Sequence, residues 1–233
     1  MRTTETYDLQ QIKSLGRLPL SEQVYLTLRQ AILTGTLEAD QKLNEVKIAE
    51  QLNVSATPVR EAFRKLAKDN LVIIRPWRGV TVKGYTLEEL ESMYQCRAVM
   101  SGLGARLCAE RATEEEVEEL KEVIETWQHI DNSEDFVATN THFHELIAAF
   151  SKNERVSEYL EDFKEMVNRD MYTSSKSLDR MASCNDEHIL ILESIINRRP
   201  EEAEERMRDH ILKAFQHKKA QLEKAQAAKD NAE

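Results

Sequence analysis

The sequence predicts a mainly α protein in two parts: three short helices closed by a β-hairpin, then a larger all-α antiparallel helical bundle. Three observations predict it. Apolar residues recur at steps of three and four through most of the 233 residues. Two short β-branched runs, Leu71–Arg75 and Val80–Lys83, flank a turn containing Pro and Gly. The charge changes sign along the chain: Met1–Gly84 carries 13 Lys/Arg and 9 Asp/Glu, a net of +4, and Tyr85–Glu233 carries 19 and 33, a net of −14.

With 41% hydrophobic and 32% charged residues, a soluble globular chain is expected. No apolar run approaches the roughly 18–20 residues that cross a bilayer. Met1–Leu15 is polar and contains acids, unlike a signal peptide. The expected location is cytoplasmic, with no membrane partner. Three cysteines without CxxC spacing argue against a disulfide framework or a zinc ribbon. Cys96 and Cys108 fall on one helix about 18 Å apart, too far to bridge, so buried reduced thiols are expected.

Four segments follow from the pattern: a flexible tail over 1–16, a first domain over 17–84, a second over 85–225, and a frayed tail over 226–233. In the first domain Ser21 is placed to cap a helix with Val24, Leu28, Ala31 and Ile32 inward, stopped at Gly35. Asn44 caps a short helix with Ile48, Ala49 and Leu52 inward, and Asn53 suits a left-handed position at its end. Ser55 caps a third helix, with Pro58 in its first turn. Val59, Ala62, Phe63, Leu66 and Ala67 form its buried stripe. Thr57, Arg60, Arg64 and Lys68 fall on the other side, where arginines can pair with guanine and hydroxyls with phosphate in a major groove. From Thr57 to Lys83 there are seven basic residues against two acids. The hairpin follows, with Trp77 expected to pack its base and Arg78 and Gly79 at its tip. Helix-turn-helix plus hairpin makes a winged helix-turn-helix, whose tip suits the electronegative minor groove.

The stretch Lys42–Ala62, with Leu66, Asn70–Val72 and Arg78–Val80, resembles the DNA-binding domain of the GntR family of bacterial regulators over about seventy residues. The resemblance implies DNA contacts from Ser55, Thr57 and Arg60, and from Arg78 and Gly79 of the wing. The family usually has Arg where this chain has Ala56. Its turns usually have Pro-Gly and Gly where this chain has Ala39-Asp40 and Asn70.

The second domain holds one Pro and two Gly, and helix signals dominate. Thr86 with Glu89 and Thr113 with Glu116 are capping boxes, opening helices to about Glu110 and Gln128. Further helices are predicted over Ser133–Phe150, Glu154–Thr173, Ser177–Asn197 and Pro200–Ala225, six or seven in all. Behind a GntR-type head this resembles the FadR subfamily with an FCD-type effector domain. The resemblance implies a divalent metal held by Asn140, His144, His188 and His210. Asn140 and His144 are four residues apart on one helical face, and His142 points about 200° away from His144. Imidazoles suit zinc first, with nickel, cobalt, iron or manganese as other candidates. Asn140 stands where Asp is commoner, leaving the site one charge more positive and suited to an anionic effector. Arg97 is the candidate partner for the carboxylate of a small organic acid. His129 and His217 lie in polar stretches and are expected to be solvated.

The function these readings imply is a homodimeric transcriptional regulator on a palindromic double-stranded DNA operator, its affinity set by an organic-acid effector at the metal. The alternatives are a regulator with a purely structural metal, and a metal-dependent hydrolase. Against catalysis, Glu145 and Glu187 are expected to step away from the ligand face, leaving no general base.

Overall fold

The computed structural model describes residues 7, 9, 18–127, 130, 132–174 and 178–230. The chain forms two compact units, one of Met1–Tyr85 with Glu165–Arg169 and one of Thr86–Lys164 with Asp170–Glu233.

The first unit contains α1 (Leu20–Leu33), β1 (Lys42–Leu43), α2 (Glu45–Gln51), α3 (Ala56–Lys68), β2 (Val72–Arg75) and β3 (Gly79–Val82). The apolar stripes of the helices meet in one core. Leu28, Ile32, Ile48 and Leu66 are fully buried, each contributing about 1.5–3 kcal/mol. α3 packs against α1, α2 and β2. Ala67 is half-buried rather than inside. Asn44 caps α2 through Val46 N and Lys47 N. The caps of α1 and α3 differ from expectation. Pro19 occupies the N-cap of α1, so Ser21 lies within the helix. Ser55 sits at the N-cap of α3, but its side chain makes no capping bond. Asp40, Asn53 and Asn70 take φ of 63°, 52° and 58°, so Asp and Asn make the left-handed turns here without glycine.

The hairpin is part of a three-stranded antiparallel sheet of order β1-β3-β2. β1 escaped the sequence reading because two residues carry no alternation. Arg75 pairs with Gly79, so residues 76–78 form the loop. Trp77 does not pack the hairpin base: it sits in that loop, fully exposed. Tyr7, inside the stretch expected as a flexible tail, is buried. Its hydroxyl donates to Lys42 O and accepts from Asn44 N.

Seven helices follow among the described residues: α4 (Leu87–Arg111), α5 (Glu114–Trp127), α6 (Ser133–Phe150), α7 (Glu154–Glu161), α8 (Lys164–Ser174), α9 (Leu178–Ile196) and α10 (Pro200–Asp230). Both capping boxes form, at Thr86/Glu89 and Thr113/Glu116. The single helix expected over Glu154–Thr173 is two, broken at Asp162-Phe163. Neither Gly nor Pro marks the break, so the apolar period ran through it unnoticed. α10 continues as helix to Asp230, beyond the point where fraying was expected. Gln128, His129 and Ser177 lie outside the described residues.

α4 packs against α6, α7, α9 and most extensively α10, while α5 packs on α6 and α9. Gly102 permits the α4–α10 approach. A Cβ there would lie 2.5 Å from Arg208 Cγ and 3.2 Å from Glu204 O. No described helix is long and apolar enough to cross a membrane. Cys108 and Cys184 are buried, but Cys96 is exposed on α4, against the expectation of three buried thiols.

Candidate functional site

In the first unit, α3 presents Thr57, Arg60, Arg64 and Lys68 to solvent, and Ser55 is exposed at its N-terminus with its hydroxyl unused in capping. Ala56 is half-buried. Arg60 is engaged: its Nε donates to Glu45 Oε2 at 2.9 Å and its Nη2 lies 2.8 Å from Glu45 Oε1. That two-pronged pair holds the guanidinium above its ordinary pKa through the hydrogen bond and charge of Glu45. Arg64 makes no ion pair among the described residues. Lys65 is turned elsewhere, bonded to Glu22 at 2.7 Å and lying 4.0 Å from the Tyr25 ring centroid. At the wing Arg75, Trp77, Arg78 and Gly79 are all exposed. Gly79 has φ of 89°, a conformation that favours glycine.

In the second unit, three helices bring three imidazoles together. His144 comes from α6, His188 from α9 and His210 from α10, and their candidate ligand nitrogens all lie within 4.8 Å of one another. His188 Nε2 and His210 Nε2 are 3.2 Å apart. Two nitrogens each about 2.0–2.1 Å from a tetrahedral zinc would be separated by about 3.3–3.4 Å, so this pair already stands close to ligand spacing. The ring of Trp127 on α5 lies 4.6 Å from that of His188, and Phe143 lies 4.7 Å from it on α6. These apolar walls account for the burial of His188.

His144 Nε2 is buried with no hydrogen-bond partner among the described residues. Burial first, then the charge of Arg97 and the other two histidines, hold this imidazole well below its ordinary pKa of 6.5. A neutral, desolvated ring with an unsatisfied nitrogen facing two further imidazoles has the chemistry of a metal ligand. Its environment fits a divalent ion.

Glu187, expected to step away, instead lies 2.7 Å from His210 Nδ1 through its Oε2. A carboxylate behind a histidine is the usual outer support of such a ligand. Sequence reasoning missed it because the pairing runs from α9 to α10, and no spacing within one helix encodes it. Glu145 does step away, to Lys164 at 2.5 Å.

Asn140 is 2% exposed, and two sulfurs hold its amide. Its Nδ2 donates to Met171 Sδ at 2.9 Å and its Oδ1 accepts from the Cys184 thiol at 3.9 Å. Arg97 is turned inward at 7% exposure. It makes no hydrogen bond or ion pair among the described residues; its guanidinium carbon lies 5.9 Å from the Tyr94 ring centroid. Asp170 is already engaged by the Tyr94 hydroxyl at 3.1 Å and by Lys218 Nζ at 3.1 Å. Burial lowers the Arg97 pKa from its ordinary value, yet a guanidinium stays charged. Of the remaining histidines, His142 is exposed, and His217 is half-buried and 3.1 Å from Gln221 Nε2, not merely solvated.

Comparison with known proteins agrees with both units. The family model for bacterial regulatory proteins of the gntR family matches residues 20–82, and that of the FCD domain matches residues 92–213. The HTH-type transcriptional regulator YdhC of Bacillus subtilis (strain 168) is 30% identical over 85% of this chain and 89% of its own. The transcriptional repressor RspR of Escherichia coli (strain K12) is 27% identical over 83% and 86%. Among solved structures, E. coli McbR/YncC superposes with a TM-score of 0.70 at 21% identity, over 88% of this chain and 99% of that one. The matched families and relatives are transcriptional regulators, not enzymes.

Proposed function

The chain belongs to the GntR family of DNA-binding transcriptional regulators and carries an FCD domain, and from that premise we propose that a small organic acid, bound at a divalent metal in the helical domain, sets its affinity for operator DNA. The observation that carries the reading is the pairing of two unsatisfied groups inside one bundle. Among the described residues His144 Nε2 is buried without a hydrogen-bond partner beside two imidazoles, and Arg97 is a buried cation that makes no ion pair.

His144, His188 and His210 hold the metal, and Asn140 Oδ1 is a neutral fourth donor if it gives up its long contact to the Cys184 thiol. Zinc suits three imidazoles best, with nickel, cobalt, iron and manganese as the other candidates. Bound there, the ion supplies a Lewis-acidic position for an anionic ligand. The chain's own residues do the rest. Arg97 gives the anion a fixed, desolvated positive charge, and Glu187 orients His210. The aromatic rings of Trp127 and Phe143 flank His188. A carboxylate answers both the metal and the guanidinium, so an organic acid is the class of ligand the site accepts.

Ser55 at the N-cap and Ala56, Thr57, Arg60 and Arg64 on α3 meet the major groove, and Arg78 and Gly79 serve the wing. A cytoplasmic homodimer on a palindromic operator follows, because one winged helix covers too few base pairs for specificity. An effector that binds one arrangement better than another shifts the population toward it, and operator affinity changes accordingly.

The test uses the purified full chain, metal analysis, and a gel shift on a duplex enriched from a randomised pool. About one equivalent of metal per chain is expected, with a change in duplex affinity when a bound organic acid is added. Full duplex response in chain stripped of metal, with no organic acid altering it, overturns the effector reading and leaves the DNA-binding assignment intact.

A further inference from the structure

We propose that Trp77, at the tip of the wing, is an apolar DNA-contact residue, packing its indole against the sugars and base edges of the minor groove. Three observations point there, and the inference rests on the reading that this wing faces DNA.

The first is exposure. Trp77 has a relative accessibility of 105%, higher than that of any other large hydrophobic residue described. An indole buries more apolar area than almost any other side chain and is rarely left wholly in water. Nothing in the first unit covers it.

The second is backbone conformation. Arg78 N donates to Arg75 O at 3.1 Å, which closes a four-residue turn. Pro76 is its second residue and Trp77 its third, with φ of 63°. A turn with Pro second and a positive φ third ordinarily has Gly or Asn at that third place. A bulky residue is disfavoured there, because its Cβ crowds the neighbouring carbonyl. The fold therefore gains nothing from this tryptophan, neither packing nor turn geometry.

The third is the electrostatic setting. Arg75, two residues before Trp77, and Arg78, next after it, are both exposed in the same turn. A cationic tip carries the loop to phosphates and to the negative potential of a narrow groove, where an apolar wedge finds base and sugar surface. A turn that exposes one indole and two arginines matches a nucleic acid better than it matches an apolar protein surface, since two guanidiniums would have to be desolvated against the latter.

The experiment compares wild type with Trp77→Asn and Trp77→Phe. Asn suits the left-handed turn, so its melting temperature should equal or exceed that of wild type. On a duplex enriched by wild type from a randomised pool, Trp77→Asn should bind roughly tenfold more weakly, and Trp77→Phe should recover most of the loss. The slope of log affinity against log salt should be unchanged for Trp77→Asn, because no phosphate contact is removed. Arg78→Ala should flatten it by about one. The protein has two tryptophans, and Trp127 is buried in the other unit. Saturating duplex should therefore shift or quench the emission of wild type, and the response should vanish in Trp77→Asn. Equal affinity of wild type and Trp77→Asn, or unchanged Trp77 emission at saturation, overturns the proposal. Failure of wild type to retain any duplex overturns the DNA reading beneath it and the proposal with it.

Discussion

His210 Nδ1 and Glu187 Oε2 lie 2.7 Å apart, joining α10 to α9 directly behind the cluster of imidazoles. The contact sets the direction in which the opposite nitrogen, Nε2, faces His188. Glu187→Gln keeps the shape and a hydrogen bond but removes the charge. Metal affinity should fall about 10- to 100-fold, as is typical for loss of such outer support. Competition against a chromophoric chelator measures it, and unchanged affinity would detach Glu187 from the site.

Arg97 is buried without a salt bridge among the described residues, so its charge is held at a cost to the fold. Arg97→Met replaces it with an apolar chain of similar length. Thermal stability should stay level or rise. The increase in melting temperature that wild type gains from a bound organic acid should disappear while metal content is retained. A large fall in melting temperature would mean that the guanidinium is structural.

The Arg60–Glu45 pair is exposed and links α3 to α2. Exposed pairs contribute little to stability. Glu45→Gln should therefore melt close to wild type. It should also bind duplex DNA more tightly, with a salt slope steeper by up to about one, because a freed guanidinium can take a phosphate. Weaker binding would show that Glu45 presents Arg60 in its working position.

The cysteines divide by exposure. Burial pushes the Cys108 thiol up to about 12, so it carries almost no thiolate at neutral pH. Cys184 is buried beside Asn140. In native protein near neutral pH a thiol reagent should modify one cysteine per chain, Cys96, and all three after denaturation. Mass spectrometry of the labelled peptides reads the result.

The parts of this molecule that were legible in the sequence are those written locally. The period of the stripe Val59–Leu66, the Asn44 cap and the box at Thr86 and Glu89 each declare a helix within a few residues. Asn140 and His144 share a face because they are four residues apart. What was not legible lies between elements. Glu187 reaches His210 across two helices, and β1 exists only because β3 lies beside it. Trp77 was expected to pack the hairpin base; the Pro and Gly beside it marked a turn, but which residues fall in the loop is set by the pairing of Arg75 with Gly79 across two strands. The resemblance to a family supplied the histidine set, which scattered positions alone could not have joined.

The grip of Glu187 on His210 also fixes where a proton sits. With a carboxylate at Nδ1, that nitrogen keeps its hydrogen, and Nε2 is left with a lone pair. That face of the ring looks onto His188 Nε2 at 3.2 Å. A cation held at that lone pair would be offset, through the same ring, by the carboxylate on its far side, so the two helices α9 and α10 share the balancing of its charge.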